Sequence, residues 1–403
     1  MFRVLLFLLP IGNYVVPHWL SGFFLLLALL ALAGPRFSWE RLNSLDKAIF
    51  LTFITYFLTF ILSGLINEAW ESLVKRLGVE LRYLFIVPIY QVARNLTDGG
   101  RWLYRGCVVG GMVFAGNAIF ESLILGRSLV AGAYHHILYG STAALFAVLL
   151  WSRWWSQREV GGWHWFSLLG AFASALAVAL SGSRTAYAVL VIAILVWGYL
   201  EFGTKRFLWV VGVVTMLAIA IYGLSDRVAG RVDRAIDEVT YYFKLEDPAV
   251  VQEALPSAAL RLEMWRTSLL IIRDHPWFGV GRGGYPAAAS EQVRLGKVHW
   301  QAPAQGQPHN AFLEAFVSLG IVGFLPFFGM FLLPLMRVWY GARRNYHSAI
   351  AVVLLLACYA VTSLAAGAPF LRGSAVGLFI VFLAVLLADY ESGADTERES
   401  VDA

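Results

Sequence analysis

Four stretches of this 403-residue chain carry residue types suited to chemistry on an anion. The first is Ser181-Gly-Ser-Arg-Thr-Ala-Tyr187, a short polar turn between two apolar runs. Ser183 can cap the helix that follows, and that helix's free N–H groups add partial positive charge to the full charge of Arg184. The second is residues 257–275, SAALRLEMWRTSLLIIRDH, which reads as an amphipathic helix with Ser257 as N-cap and His275-Pro276 as its stop. Leu262, Trp265, Leu269 and Ile272 form an apolar stripe, Arg261 stands a turn before Trp265, and Arg266 and Arg273 share a second face. Lying on a membrane surface, such a helix would hold several guanidiniums in one plane, and guanidinium forks match phosphate oxygens better than other side chains do. Glu263 can instead neutralise Arg266 at i,i+3.

The third stretch, Gly279-Val-Gly-Arg-Gly-Gly284, matches G-x-G-x-x-G in form only. A dinucleotide fingerprint needs a strand before it and a helix after it. Here a helix precedes and Tyr285-Pro286 follows, so a nucleotide site is excluded. The glycines read as a turn that lets the backbone approach a ligand or a neighbouring helix, with Arg282 held inside it. The fourth is Pro308-His309-Asn310, at the start of an apolar run that contains Glu314. A histidine at a water–lipid boundary can accept a proton near neutral pH and so activate a hydroxyl.

Singly, each feature has an ordinary explanation, such as a snorkelling arginine or a packing histidine. Together, Arg184, Arg261, Arg282 and His309 ask for an anion beside a hydroxyl that must lose its proton. A lipid-linked diphosphate presents that anion at head-group depth. His135-His136, with Tyr139 and Ser141, open another apolar segment on the same side. Adjacent residues of a helix point apart, so the two histidines are not expected to chelate. No His/Cys/Asp/Glu cluster has metal-ligand spacing, and neither metal nor cofactor is expected.

The elements that position these residues must sit in lipid. The chain is 59% hydrophobic and 14% charged, with a mean hydropathy of +0.67. A soluble domain carries about 25% charged residues. The 15 Trp suit two interfacial belts. The net charge of +5 is spread over many loops rather than gathered in one patch, which excludes a nucleic-acid partner. Cys107 and Cys358 lie in apolar segments as small hydrophobes.

Twelve apolar runs stand out, at 3–16, 19–34, 47–66, 80–93, 104–125, 129–151, 164–181, 185–202, 207–225, 310–335, 348–367 and 373–390. With a cytoplasmic N-terminus, the cytoplasmic segments hold Arg3, Arg36, Arg41, Lys47, Arg94, Arg101, Arg105, Arg153, Arg158, Lys205, Arg206, Arg337, Arg343, Arg344 and Arg398. The opposite short loops hold only Lys75, Arg76, Arg82, Arg127, Arg184 and Arg372. This asymmetry sets both termini in the cytoplasm and the candidate site in the periplasm. Residues 1–225 then form helices 1–9, 226–309 a large and partly helical periplasmic loop, 310–390 helices 10–12, and 391–403 a disordered tail. The ten Lys/Arg of the loop, including Arg227 and Arg231, do not weigh against this, because loops so long cross regardless of charge. Arg3, the apolar run and Ala31-Leu32-Ala33 mimic a cleavable leader, but the run is too long and too broken for one.

The SGSRTAY turn, the R-x-x-x-W helix (Arg261 to Trp265) followed by HPWFGVGRGGYP, and the PHN-AFLEAF start resemble the O-antigen ligase and polymerase superfamily of bacterial integral-membrane glycosyltransferases. The order of nine helices, a large periplasmic loop and three helices is similar too. The resemblance implies an inner-membrane enzyme that moves a glycan from undecaprenyl diphosphate to a sugar hydroxyl of lipid A-core, without metal or nucleotide. Arg184 and Arg261 match the family's essential arginines and His309 its essential histidine. Arg282 is a looser match, and Arg266 joins the diphosphate-binding set on helix geometry alone. Polymerases share the donor but tend to have two sizeable periplasmic loops, and this chain has one. Protein O-oligosaccharyltransferases usually carry a C-terminal periplasmic region that is absent here. A transporter of polyprenyl lipid or glycan would need internal repeats and charges at mid-membrane, and few charges fall deep in the expected spans.

Overall fold

A computed structural model describes the chain except residues 35–38, 97, 158, 160, 225, 342–344 and 402–403, together with the side chains of residues 41, 221, 227, 228, 231, 368 and 393–401. Arg36, Arg158, Arg343 and Arg344 therefore lie outside the described residues, as do the side chains of Arg41, Arg227, Arg231 and Arg398.

Long apolar stretches with no water to satisfy their backbone must form helices, and among the described residues there is no strand. In chain order the helices are α1 Phe2–Ile11, α2 Trp19–Leu32, α3 Ser44–Ile66, α4 Trp70–Glu80, α5 Ile86–Arg94, α6 Gly99–Ile119, α7 His136–Trp155 and α8 Gly162–Ser181. There follow α9 Arg184–Leu224, α10 Asp226–Lys244, α11 Ser257–Asp274, α12 Tyr285–Arg294, α13 Ala311–Tyr340, α14 Tyr346–Ala365 and α15 Gly373–Val401.

Eight of these are long and apolar enough to cross a membrane: α3, α6, α7, α8, α9, α13, α14 and α15. The chain is an all-helical, multi-pass membrane protein. The twelve expected spans map onto this set unevenly. The first two are α1 and α2, which are apolar but shorter. The fourth, 80–93, is a 3₁₀ turn at Leu81–Phe85 followed by the nine-residue α5. The eighth and ninth both fall within α9. Helix α15 runs on to Val401, through the stretch expected as a disordered tail.

Two glycines divide helices that would otherwise be the longest in the chain. At Gly203 in α9 the backbone turns to φ 66°, ψ 174°. A Cβ placed on Gly198 would lie 2.8 Å from Val210 Cγ1. Residues twelve apart in a straight helix are about 18 Å apart, so α9 folds back on itself as two antiparallel rods. At Gly320 in α13 the backbone turns to φ 64°, ψ −168°. The rings of Phe312 and Phe327 have centroids 5.5 Å apart, against about 22 Å for that spacing in a straight helix. The span expected at 310–335 is therefore a short helix, 311–319, that reverses at Gly320 into a longer one, 321–340.

The glycine-rich turn after α11 closes the break in α13. Val280 N–H donates to Val317 O at 2.9 Å and Gly281 N–H to Ser318 O at 3.0 Å, while Ile321 N–H donates to Pro276 O at 2.8 Å. Backbone groups freed by the reversal are thereby paired, as a buried helix end requires. Ser63 Oγ of α3 sits 2.7 Å from Phe278 O and 2.9 Å from Ser318 O, adding a third element. A Cβ on Gly320 would lie 2.1 Å from Trp277 O, and one on Gly279 2.3 Å from Val317 O. The turn approaches a neighbouring helix, and only glycine allows the approach.

Candidate functional site

Three polypeptide ends converge at one rim of the bundle: the N-termini of α7 and α9, and the segment 307–310 that leads into α13. Helix α11 packs across them against α13, α12 and α10. Of the expected apolar stripe, Leu262, Trp265 and Ile272 are half-buried, with Ile272 packed beside Tyr285 and Val317. Leu260, Glu263, Met264, Thr267, Ser268 and Ile271 are buried, whereas Leu269 is 61% exposed. The helix therefore rests on protein along the face that also carries Glu263. Ser257 does not act as its cap; Pro256 occupies that position without a side-chain bond. Glu238 of α10 accepts from Ala258 N–H at 2.8 Å in its place.

Arg261 projects from this helix, half-buried, with no hydrogen bond or ion pair among the described residues. Burial lowers its pKa first, the nearby Arg184 charge lowers it further, and Glu238 partly opposes both. A guanidinium nevertheless stays protonated at neutral pH. Arg184 opens α9 beyond the Gly182 turn (φ 66°), where Ser183 Oγ accepts from Ala186 N–H at 3.3 Å. It is exposed and also makes no ion pair among the described residues. Two cations from different elements thus repel each other across a gap, and the charge of Glu238 offsets this only in part. An anion entering that gap relieves the repulsion.

His309 faces the same gap. Asn310 caps α13, accepting from Phe312 N–H at 3.0 Å and Leu313 N–H at 3.2 Å. Trp265 of α11 donates from Nε1 to Pro308 O at 3.1 Å, which fastens the histidine's segment to the helix carrying Arg261. Between these anchors His309 adopts φ 53°, a left-handed conformation that costs a non-glycine residue about 1–3 kcal/mol. Burial, then Arg261, then His135 hold the imidazole below its ordinary pKa of 6.5. At neutral pH it is uncharged and can accept a proton.

His135 is the N-cap of α7, not part of the helix, and its ring accepts from Ile137 N–H at 3.3 Å. The two histidines consequently do not point apart. Their rings stack, with centroids 4.5 Å apart. Burial and the charge of Arg372 lower the pKa of His135. His136 is in turn within electrostatic reach of Arg261.

Two other expected anion ligands are committed elsewhere. Arg266 lies about 140° around the helix from Arg261 at 100° per residue. It pairs with Glu263 at 3.4 Å, the i,i+3 partner expected as the alternative. Glu263 is fully buried and also accepts from Tyr242 OH at 2.6 Å and His299 N–H at 2.8 Å. Arg282 is only 3% exposed and sits between two buried carboxylates, 3.2 Å from Glu80 and 3.5 Å from Glu314. It also donates to Tyr56 OH. Its guanidinium ties α3, the α4 terminus and α13 together beneath the glycine turn. In both cases the nearest partner is a neighbouring carboxylate, Glu263 for Arg266 and Glu80 and Glu314 for Arg282. The expectation of few deep charges missed this ionic cluster, because Glu314 stands alone in its apolar run and Glu80 lies at the edge of its own, two residues from Arg82.

Among the described residues no group of three His, Cys, Asp or Glu could hold a metal ion. The rim instead offers unpaired guanidiniums beside an uncharged imidazole, an arrangement able to seat an oxyanion and take a proton from its neighbour.

Fold and site together define a multi-pass helical membrane protein with a cationic, histidine-bearing site at one rim. Residues 169–328 match the family model described as O-antigen ligase, and Arg184, Arg261, Arg266, Arg282 and His309 all fall inside the match. The matched segment also holds the motifs that resemble that superfamily, from SGSRTAY through PHN-AFLEAF. An uncharacterized protein of Haemophilus influenzae (strain KW20 / Rd) is 25% identical over 350 residues, covering 83% of this chain and 82% of that relative.

Proposed function

We propose that the protein is an O-antigen ligase of the bacterial inner membrane, with both termini in the cytoplasm and the rim of Arg184, Arg261 and His309 in the periplasm. It transfers O-antigen glycan from undecaprenyl diphosphate to a sugar hydroxyl of lipid A-core. The observation that carries this reading is the convergence of Arg184 and Arg261, both free of ion pairs among the described residues, on an uncharged His309.

Arg184 and Arg261 bind the diphosphate and stabilise the charge that grows on it as the anomeric C–O bond breaks. Such preorganised electrostatic stabilisation usually contributes more to catalysis than any other single effect. His309 takes the proton of the acceptor hydroxyl as its oxygen forms the new glycosidic bond, typically worth about 10²–10⁴ in rate. Attack opposite the leaving diphosphate inverts the anomeric centre. The leaving group, undecaprenyl diphosphate, stays in the membrane by its tail. No step requires nucleotide hydrolysis.

The test is purified protein in detergent with undecaprenyl diphosphate-linked O-antigen and rough lipopolysaccharide, read as laddered lipopolysaccharide on a gel. A ladder supports the ligase. Longer lipid-linked glycan with no transfer to lipid A-core would identify a polymerase instead. No glycosyl transfer to any acceptor would favour transport.

A further inference from the structure

The cationic rim does not stop at Arg184 and Arg261. Arg372 stands in the turn before α15, exposed and without an ion pair among the described residues. It lies within electrostatic reach of His135, and His135 within reach of His309. With the ring of His135 already accepting the Ile137 N–H through Nδ1, its Nε2 remains open to a ligand. The loop bearing Arg372 is packed against the segment bearing His309, since a Cβ on Gly367 would lie 2.5 Å from Gln307 Oε1. That same oxygen is buried with no hydrogen-bond partner. A buried acceptor left unpaired keeps the full cost of its lost hydration, and a ligand hydroxyl would satisfy it.

We propose that Arg372, His135 and Gln307 form an acceptor subsite, across His309 from Arg184, that takes a phosphorylated sugar. Arg372 and the Nε2–H of His135 receive the phosphate, and Gln307 receives a sugar hydroxyl two residues from His309. The donor diphosphate and the acceptor phosphate are the same oxyanion chemistry, so the rim needs two separate cationic seats if both substrates are to be held at once. The histidine stands between them, where the acceptor hydroxyl must meet the donor's anomeric carbon. This inference rests on the ligase reading and specifies the acceptor it selects.

The experiment measures binding of two probes to the full-length protein in detergent: rough lipopolysaccharide, intact or stripped of its core phosphates, and undecaprenyl diphosphate. The variants are Arg372→Ala, His135→Asn (which keeps an N-cap acceptor on α7) and the surface control Arg294→Ala. Loss of one charge-assisted hydrogen bond predicts roughly 10- to 100-fold weaker binding of the intact acceptor in Arg372→Ala and His135→Asn. Stripped acceptor should bind both variants as it binds wild type, and undecaprenyl diphosphate should be unaffected. Weakened diphosphate binding would assign Arg372 to the donor and overturn the subsite. An equal loss with stripped acceptor, or no loss at all, would overturn it as well. Wild-type protein that fails to bind undecaprenyl diphosphate overturns the ligase reading and the subsite with it, whereas intact donor binding with unaltered acceptor binding in the variants overturns the subsite alone.

Discussion

Arg261 and Arg282 stand 21 positions apart in the matched segment, yet their replacement by glutamine should have opposite consequences. Arg261 is half-buried beside another cation and has no ion-pair partner among the described residues. Removing its charge relieves repulsion in the free protein and removes a donor aimed at a developing anion. Losing one such preorganised donor costs about 10²–10³ in kcat. Arg261→Gln should therefore be nearly inactive while melting no lower than wild type. Arg282 neutralises Glu80 and Glu314 where all three are almost fully buried. Breaking a buried pair leaves an uncompensated charge and costs on the order of 3–5 kcal/mol. Arg282→Gln should unfold at distinctly lower temperature, and its activity should decline in proportion to the folded fraction. The assay is thermal unfolding in detergent alongside glycan transfer per folded molecule. An Arg261→Gln protein that melts well below wild type, or an Arg282→Gln protein that is stable but inactive, would refute the division of roles.

The pH dependence of kcat/KM should show an acidic limb below 6.5, because His309 must be uncharged and its pKa is held down by burial and by Arg261. Arg261→Gln should move that limb to higher pH, since one of the two depressing charges is gone; a limb that stays put would disconnect the two residues. The same shift makes His309 a source of stability lost as pH falls below 6.5, where the unfolded chain binds the proton more readily. Gly320→Ala should destabilise the protein or abolish its expression, because the added methyl would sit 2.1 Å from Trp277 O at a backbone φ of 64°; wild-type melting would show that the turn is not seated as described. Trp265→Phe removes the bond to Pro308 O, a loss of about 1 kcal/mol in stability, and should lower kcat more than that loss explains if it positions His309.

Local signals carried further along this chain than long-range ones. The bounds of α11, the Ser183 cap of α9, and the placing of His309 at a helix start all depend on residues within a turn of each other. Pro, Gly, Ser and Asn announce such boundaries in sequence. The reversal at Gly203 falls between the eighth and ninth expected runs, whereas the one at Gly320 was hidden, because a glycine inside an apolar run leaves hydropathy unbroken while permitting a positive φ. The i,i+3 spacing offered Glu263 to Arg266 as the alternative, but Arg282 looked like Arg261 because nothing in the spacing reveals that Glu80 will be its nearest charge. The histidine pair was misjudged for a similar reason: the geometry of adjacent helical residues does not apply when the first of them is the cap. Arg372 was visible only as one basic residue in a short loop, and its neighbours come from chain segments more than 60 and 200 residues away.

The most direct test of the central claim is a side-by-side measurement of undecaprenyl diphosphate binding and glycan transfer in Arg184→Ala, Arg261→Ala and His309→Ala. The two arginine variants should lose both binding and transfer. His309→Ala should bind the diphosphate as wild type does and yet fail to transfer, because it lacks only the proton acceptor. Transfer that survives in His309→Ala, or diphosphate binding that survives in both arginine variants, would contradict the assignment of this rim as the catalytic site.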